Sequence, residues 1–328
     1  MNITKLECCI AEKYHNHTAF LPVSFRHITL PGRIVRSATE LFCSPDGHVA
    51  EKEITAYEKL AKEPFGLIIS AHTCVSPEGR ANPGQNAIWD DIFIEEQSRI
   101  AAAVHNGEGN DSKIILQLGH GGMKAEGSNG GRTVYTPDNM TVEQIKETVK
   151  AFANGAIRAK ACGFDGIQLH AAHMYLLSQF FYPQYNHRTD LYGGNGLNRF
   201  RIIREITEAV KAACGDDFPV FIKINGDNLE DGEKYFEELC EAAKVCEAIG
   251  MEGLELSGYN SAPAGIPKAP YFFETAKRLM THTDLPLMLV GGIRKREEVE
   301  EILASGIKTV SFSRPVLQNV EFIRQLFS

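Results

Sequence analysis

Short hydrophobic runs alternate with amphipathic stretches along this chain, and the alternation repeats eight times. Each run is rich in Val, Ile, Leu and Phe and shorter than ten residues, which is typical of a buried strand of a parallel sheet. The eight predicted strands cover residues 33–39, 65–73, 113–120, 164–170, 218–225, 252–257, 285–292 and 308–314.

The stretches between these runs have the periodicity of helices. The clearest helix begins with a capping box formed by Thr141 and Gln144. It ends before Gly163, a residue type that commonly terminates helices. An apolar stripe along one side predicts that this helix packs against a sheet. The other predicted helices cover residues 51–63, 92–106, 197–213, 232–249, 271–281, 296–306 and 318–327.

Eight strand-then-helix units predict a (β/α)8 TIM barrel. A doubly wound sheet is the alternative, but it more naturally has five or six strands and a glycine-rich phosphate loop after the first. The residues after the first predicted strand are SATELFCSPDG, which lack the GxGxxG pattern. The sequence therefore favours the barrel.

Polar residues occupy alternate positions near the ends of several predicted strands. Gln117, His170, Lys223 and Asn225 alternate with aliphatic residues, so the two sets lie on opposite faces of their strands. The aliphatic set is expected to face the helices. The polar set is expected to point into the barrel at its C-terminal mouth, where barrel enzymes have their active sites.

Two segments depart from a bare barrel. Residues 22–35 read as a hairpin with Pro31 and Gly32 at its turn, and we expect it to cap the bottom of the barrel. Residues 171–196 form a long connection rich in aromatic and polar side chains. A connection of this length in a compact domain is usually functional.

Composition narrows the class of protein further. The chain has 328 residues, of which 43% are hydrophobic and 23% charged, so it is an ordinary globular protein. Its net charge of −8 disfavours nucleic acid and anionic membranes as partners. It has no apolar run of about 18 residues, no signal-peptide core and no CxxC pair among its cysteines. We therefore expect a cytoplasmic protein that acts on small molecules.

The densest chemical cluster is His170, His173 and Tyr175, at the end of the fourth predicted strand. Imidazoles can donate hydrogen bonds to a developing oxyanion, and a phenol can act as a general acid. Two alternatives are packed barrel histidines and a zinc site that adds His72 and His120 from neighbouring strand ends. The zinc alternative leaves Gln117 and Lys223 without roles.

A second signal comes from the ends of the last two predicted strands. Gly291 and Gly292 follow the seventh strand and permit close backbone approach to an anion. Ser313 and Arg314 follow the eighth and offer a hydroxyl and a guanidinium. Phosphate sites of barrels favour these two loops, so the pattern predicts binding of a phosphorylated ligand.

Three motifs together resemble the old yellow enzyme family of FMN-dependent NAD(P)H:flavin oxidoreductases. They are QLGHGG at 117–122, GFDGIQLHAAHMYLLSQFFYPQYNHRTDLYGG at 163–194 and LVGGIRKREEVEEILASG at 289–306. The resemblance extends from about residue 25 to the end of the chain. It implies a barrel with one non-covalently bound FMN at its C-terminal mouth.

The resemblance also implies roles for individual residues. The residues implied to contact the flavin are Ser37, Ala38, Thr39, His72, Gln117 and Lys223. Those implied to bind its phosphate are Gly291, Gly292, Ser313 and Arg314. His170 and His173 would bind the carbonyl oxygen of the substrate, and Tyr175 would protonate its α-carbon.

The implied reaction is ping-pong. NADH or NADPH gives a hydride to flavin N5 and leaves, and an α,β-unsaturated carbonyl compound then accepts the hydride at its β-carbon. Two hypotheses compete: a non-catalytic flavin-binding protein, and a zinc-dependent barrel hydrolase. The resemblance further implies the single-domain form, with one domain over residues 1–328, an N-terminal arm over 1–24, and room for a homo-oligomer.

Four positions depart from the family pattern. Glu40 replaces a Thr or Cys, His72 a small residue, Met123 an Arg and Leu197 a Glu. We expect Glu40 to turn away from the flavin and pair with a Lys or Arg. These departures bear on substrate choice and redox potential rather than on flavin binding.

Overall fold

The computed structural model describes residues 12–107, 111–227, 232–259 and 270–328. A hairpin of β1 (Val23–Ser24) and β2 (Thr29–Leu30) precedes the barrel. The following strands are β3 (Ile34–Arg36), β4 (Leu67–Ile69), β5 (Thr73–Cys74), β6 (Lys113–Gly119), β7 (Ile167–Ala171), β8 (Val220–Asn225), β9 (Gly253–Ser257), β10 (Leu287–Val290) and β11 (Thr309–Phe312).

Eight of these strands form a closed parallel barrel, which confirms the predicted TIM barrel. β3 pairs with β11 on one side and with β4 on the other, and β4 pairs with β6, so the sheet has no free edge there. The remaining strands follow in chain order from β6 to β11. The short strand β5 adds to β6 at its C-terminal end.

Helices surround the barrel close to their predicted positions. The helix of residues 142–161 has the predicted capping box, in which Thr141 and Gln144 bond each other's backbone. The helices are α1 (Glu51–Leu60), α2 (Ile94–His105), α3 (Val142–Ala161), α4 (Leu176–Phe181), α5 (Gly196–Cys214), α6 (Gly232–Ala248), α7 (Phe273–Leu279), α8 (Arg296–Ala304), α9 (Arg314–Gln318) and α10 (Phe322–Leu326). Among the described residues, no helix is long and apolar enough to cross a bilayer.

The strand faces are oriented as predicted. Ile114, Leu116 and Leu118 of β6 belong to the hydrophobic layer between the barrel and the helices. Ile115 belongs to a separate cluster inside the barrel, and Gln117 follows it on the same face. The C-terminal half of the barrel interior is therefore polar, and it is closed below by hydrophobic side chains.

The hairpin closes the bottom of the barrel, but its turn was predicted wrongly. Phe25 joins the interior cluster and contacts the Phe221 ring edge-on, with 5.3 Å between the centroids. The turn spans residues 25–28, because Val23 pairs with Leu30. Pro31 and Gly32 instead connect the hairpin to the barrel. The predicted arm over 1–24 falls partly on residues 1–11, which lie outside the described residues.

The long connection over 171–196 is also more regular than predicted. It contains α4, whose six residues are all buried. Because both polar and apolar residues of this helix face protein, it shows no amphipathic pattern from which it could have been predicted.

Candidate active site

A cavity of about 400 Å³ opens at the C-terminal mouth of the barrel. This volume lies in the range of about 300–1,000 Å³ that is usual for small-molecule sites. The predicted site residues that line it are Ala38, Thr39, His72, Gln117, His170, His173, Tyr175, Lys223, Gly291, Gly292, Ser313 and Arg314. Ser37 lies behind the wall and accepts a hydrogen bond from Lys223 Nζ, at 2.8 Å.

His170 and His173 lie side by side where β7 ends. Their ring centroids are 5.1 Å apart and the rings meet edge to face. The backbone of His173 has φ of 57°, a left-handed conformation that is rare for a non-glycine residue. It is held there by Asn225, whose Oδ1 accepts from the His173 backbone N–H at 3.1 Å, and by Ser257 Oγ, 2.8 Å from Nε2.

Burial keeps both imidazoles neutral. It lowers the pKa of His170 and of His173 well below the ordinary value, because a buried site disfavours the charged ring. Nearby positive charges, including those of Lys223 and Lys124, act in the same direction. Each ring therefore offers one N–H donor and one acceptor nitrogen at neutral pH.

Tyr175 packs between two histidine rings on the same wall. Its ring centroid is 4.5 Å from that of His170 and 4.4 Å from that of His72. Burial raises the pKa of the Tyr175 phenol, and the charge of Glu40 raises it further. The phenol therefore keeps its proton and is available as a donor across the physiological pH range.

His72 is fixed by a chain of hydrogen bonds that ends at Glu40. Gln85 Oε1 accepts from the Ala81 backbone N–H at 2.7 Å, so its amide nitrogen Nε2 faces the His72 ring, 2.9 Å from Nε2 and 3.2 Å from Nδ1. On its other side, His72 Nδ1 lies 3.0 Å from Glu40 Oε2 and donates to that carboxylate. The expectation that Glu40 turns away to a Lys or Arg is wrong, because this histidine supplies its donor inside the cavity.

A buried polar network forms the floor of the cavity. Gln117 Nε2 donates to Gln168 Oε1 at 2.7 Å, and Gln168 Nε2 donates to Glu255 Oε2 at 3.1 Å. The same carboxylate oxygen lies 3.3 Å from Lys223 Nζ. The lysine charge is thus balanced from below, while its upper side and Gln117 face the cavity. Such an arrangement suits a planar ligand with polar edges.

The opposite end of the cavity is built from backbone and small side chains. Gly291 and Gly292 have φ of 120° and 79°, which side-chain-bearing residues rarely adopt. A Cβ atom at Gly291 would also come within 3.2 Å of the Tyr271 ring. Ser313 Oγ lies 2.7 Å from Thr39 Oγ1, and Arg314 follows as the first residue of α9. Exposed backbone, a hydroxyl and a guanidinium suit a phosphate.

Several lining residues were not predicted. They are Phe42, Lys124, Ser257, Tyr271, Phe272 and Arg294, among others. Ser257 is the last residue of the predicted strand over 252–257. Its place at a strand end could have identified it as a lining residue. Lys124 lies within two residues of the QLGHGG motif, whereas Phe42 and Tyr271 lie in irregular segments and gave no signal.

The structure does not support the zinc alternative. His120 is buried outside the cavity, its ring stacks on Tyr135, and its Nδ1 accepts from the Gly122 backbone N–H at 3.0 Å. Across the described ranges, no three His, Cys, Asp or Glu residues come together as a set of metal ligands.

Comparisons with known proteins agree with this geometry. A model of the NADH:flavin oxidoreductase / NADH oxidase family matches residues 18–328. The chain is similar to NADPH dehydrogenase of Halalkalibacterium halodurans, with 33% identity over 321 residues and 94% of each chain covered.

Solved structures agree as well. The old yellow enzyme homologue of Zymomonas mobilis superposes with a TM-score of 0.80 at 25% identity, over 94% of this chain and 92% of that one. Morphinone reductase in complex with tetrahydroNAD superposes with a TM-score of 0.78 at 24% identity, over 94% and 91%. At that identity the second likeness supports the fold alone.

This chain belongs to the NADH:flavin oxidoreductase / NADH oxidase family, the family of old yellow enzyme. It is an oxidoreductase of the NADPH dehydrogenase type, with FMN as its cofactor and NAD(P)H as its reductant. The residues present fit FMN: an amide and an ammonium line one end of the cavity, and a glycine cradle beside a guanidinium lines the other.

Proposed function

We propose that this protein reduces the activated carbon–carbon double bond of α,β-unsaturated carbonyl compounds, by a ping-pong reaction in which NAD(P)H and the acceptor use the same face. The observation that carries the proposal is the convergence of His170, His173 and Tyr175 on one cavity wall. When bound, FMN supplies hydride transfer, accepting a hydride from NAD(P)H and delivering it to the acceptor.

His170 and His173 hold the carbonyl oxygen of the acceptor in this proposal. Two neutral imidazoles can each donate an N–H to one oxygen, and negative charge grows on that oxygen as the double bond is reduced. Removing one such donor typically costs a factor of about 10²–10³ in rate. The bonds of His173 to Asn225 and Ser257 fix its ring before the substrate arrives.

Tyr175 delivers the proton to the α-carbon. Its phenol is held protonated by burial and by the charge of Glu40, and its ring contacts that of His170. The carbonyl and the proton donor are thus oriented by one short segment, residues 170–175, which begins in the last residues of β7. Positioning of this kind lowers the entropic cost of the reaction.

The cofactor contacts follow the same division of the cavity. Gln117 and Lys223 would hold the pyrimidine edge of the flavin, and Ala38, Thr39 and His72 its ring edge, with Ser37 behind them bonded to Lys223. Gly291, Gly292, Ser313 and Arg314 hold the phosphate. The support is their placement around one cavity, with Lys223 already oriented by Ser37 and Glu255.

We also propose that the chain works in the cytoplasm as one FMN-binding barrel unit, with small molecules rather than nucleic acid as partners, and that it forms a homo-oligomer. The free cysteines of the described region support the cytoplasm, and the net charge of −8 supports small molecules as partners. Size-exclusion chromatography with light scattering measures the oligomeric state directly.

Anaerobic turnover of cyclohex-2-enone tests the proposed reaction. The holoenzyme should consume one molecule of NADPH or NADH for each molecule of cyclohexanone that it forms from the enone. His170→Ala should lower kcat/KM for the enone by about 100-fold, because one donor to the carbonyl oxygen is lost. His105→Ala, at an exposed site on α2, is the control. If NAD(P)H reduces the bound flavin but the enone does not reoxidise it, the proposal is wrong.

A further inference from the structure

The charges that line the cavity do not balance. Four cations lie on the described part of the wall, namely Lys124, Lys223, Arg294 and Arg314, against one carboxylate, Glu40. Lys223 is neutralised from behind by Glu255. Glu40 accepts a hydrogen bond from His72. The two arginines flank the glycine cradle, where the phosphate of FMN supplies negative charge.

Lys124 is the cation that remains, at the other end of the cavity. Its ammonium lies 5.3 Å from the centre of the Tyr175 ring, so it is beside the proposed proton donor. The Lys124 side chain is exposed overall, but desolvation against the cavity wall lowers its pKa, and no carboxylate acts in the opposite direction. Among the residues that the structure describes, none forms an ion pair with it. An ammonium on a cavity wall without a carboxylate partner gains free energy when an anion binds beside it.

The backbone that carries Lys124 is fixed rather than loose. Lys124 lies in a short 3-10 helix, Gly122–Ala125. The fully buried side chain of Gln179 accepts from the Met123 backbone N–H and donates to the Gly121 carbonyl, both at 3.2 Å. The Gly121 N–H in turn donates to the Gly79 carbonyl at 2.6 Å. The ammonium is therefore presented from a defined position.

Resting on the proposed function, we propose that Lys124 makes the cavity selective for unsaturated carbonyl compounds that also carry a carboxylate. The carboxylate pairs with Lys124 while the carbonyl oxygen is bound by His170 and His173. Because Lys124 lies over Tyr175, the carboxylate is attached on the α-carbon side of the double bond. Glu40, on the His72 side of Tyr175, repels the carboxylate from the opposite orientation.

The carboxylate of the substrate takes no part in the bonds that form and break. The β-carbon gains a hydride that originates from NAD(P)H, and the α-carbon gains the phenolic proton of Tyr175, which solvent then replaces. The carbon–carbon double bond becomes a single bond, NAD(P)H becomes NAD(P)⁺, and the carboxylate leaves unchanged. Lys124 thus determines specificity and takes no part in proton or hydride transfer.

A matched substrate pair tests this assignment. The acid 2-(carboxymethyl)cyclohex-2-enone and its methyl ester have the same enone, because the acid group is not conjugated with it. The holoenzyme should prefer the acid by at least tenfold in kcat/KM. Lys124→Met keeps much of the aliphatic side chain but removes the charge, and it should lower the acid-to-ester ratio about 10–100-fold, mainly through KM. Lys124→Arg should restore most of the ratio.

Two controls keep the result interpretable. Lys150→Met changes an exposed lysine on the outer surface of α3 and should leave the ratio as in the parent protein. The flavin spectrum and melting temperature of Lys124→Met report whether the variant is folded and loaded with FMN.

A binding measurement makes the test independent of turnover. The saturated acid 2-oxocyclohexylacetate, titrated into the oxidised holoenzyme, should perturb the flavin absorbance with a Kd that rises at least tenfold in Lys124→Met. Equal affinity in the two proteins overturns the Lys124 proposal. An enone that is not reduced, combined with a Kd that depends on Lys124, would instead overturn the proposed function and leave the carboxylate site supported.

Discussion

His120, a candidate zinc ligand in the sequence, lies outside the cavity that holds the other candidate residues. It directly follows β6, yet its ring is buried behind the cavity against Tyr135 and Gly79. Burial lowers its pKa to about 3, and its Nε2 atom has no hydrogen-bond partner among the described residues. A proton on this ring would therefore cost the native state more than the unfolded chain.

This predicts a share of the acid sensitivity that a substitution of His120 removes. An unfolded histidine has a pKa near 6.5, so the unfolded chain takes up a proton between about pH 7.5 and about pH 5 while His120 in the native state does not. Stability from this residue is present above the unfolded pKa and is lost as the pH falls. In His120→Gln, the difference in unfolding free energy between these two pH values should shrink by ~2 kcal/mol.

Urea unfolding of the holoenzyme at both pH values measures that difference. His282→Gln changes an exposed histidine and measures the effect of the side-chain change alone. If the unfolding free energy changes equally between the two pH values in His120→Gln and in the parent protein, His120 takes up its proton in the folded state as it does in the unfolded chain.

At the residue scale, the site residues could be predicted from the sequence more fully than their hydrogen-bond partners. The predicted residues surround one cavity because most of them follow parallel strands, whose C-terminal ends meet at one mouth. The pairing of Glu40 with His72 was not predictable. It depends on the irregular path of residues 40–42, where Phe42 has φ of 54°, and on the orientation of Gln85 from a distant loop.

At the element scale, the strands were predictable because each is a short apolar run with a glycine or polar residue at its end. The two elements that were not predicted correctly have a physical reason in common, because tertiary contacts rather than local sequence determine them. The hairpin turn at 25–28 is fixed by Phe25, which packs inside the barrel, rather than by the local turn residues. α4 is buried on all sides, so no periodic pattern marks it.

The hairpin should stabilise the barrel without contributing to its chemistry. Phe25→Ala removes a buried ring that contacts Phe221 at the bottom of the barrel, and we expect a loss of about 3 kcal/mol in unfolding free energy. The affinity for FMN should not change, because the cavity lies at the opposite end. Denaturant unfolding and fluorescence titration of FMN measure the two quantities.

Leu191→Ala is the matched control for this prediction, because its side chain is 64% exposed and its removal should cost less than about 0.5 kcal/mol. A Phe25→Ala variant as stable as the parent protein would show that the hairpin is not part of the barrel core.

At the scale of the whole molecule, the barrel separates stability from chemistry. The hydrophobic hairpin closes one end, and the polar floor of Gln117, Gln168, Glu255 and Lys223 supports a single cavity at the other. The alternation of strands and helices predicted the barrel, and the polar residues at alternate strand positions predicted its polar mouth. The net charge of the cavity was not predictable, because it depends on which ions have partners in three dimensions.

The most direct test of the central claim separates the two half-reactions in a Tyr175→Phe variant. Anaerobic stopped-flow spectroscopy follows flavin absorbance, first on mixing with NAD(P)H and then on mixing the reduced protein with cyclohex-2-enone. We predict that reduction by NAD(P)H persists, whereas reoxidation by the enone slows by about 100-fold or more, because only the second step needs the phenolic proton. Reoxidation by the enone at the parent rate would contradict the account.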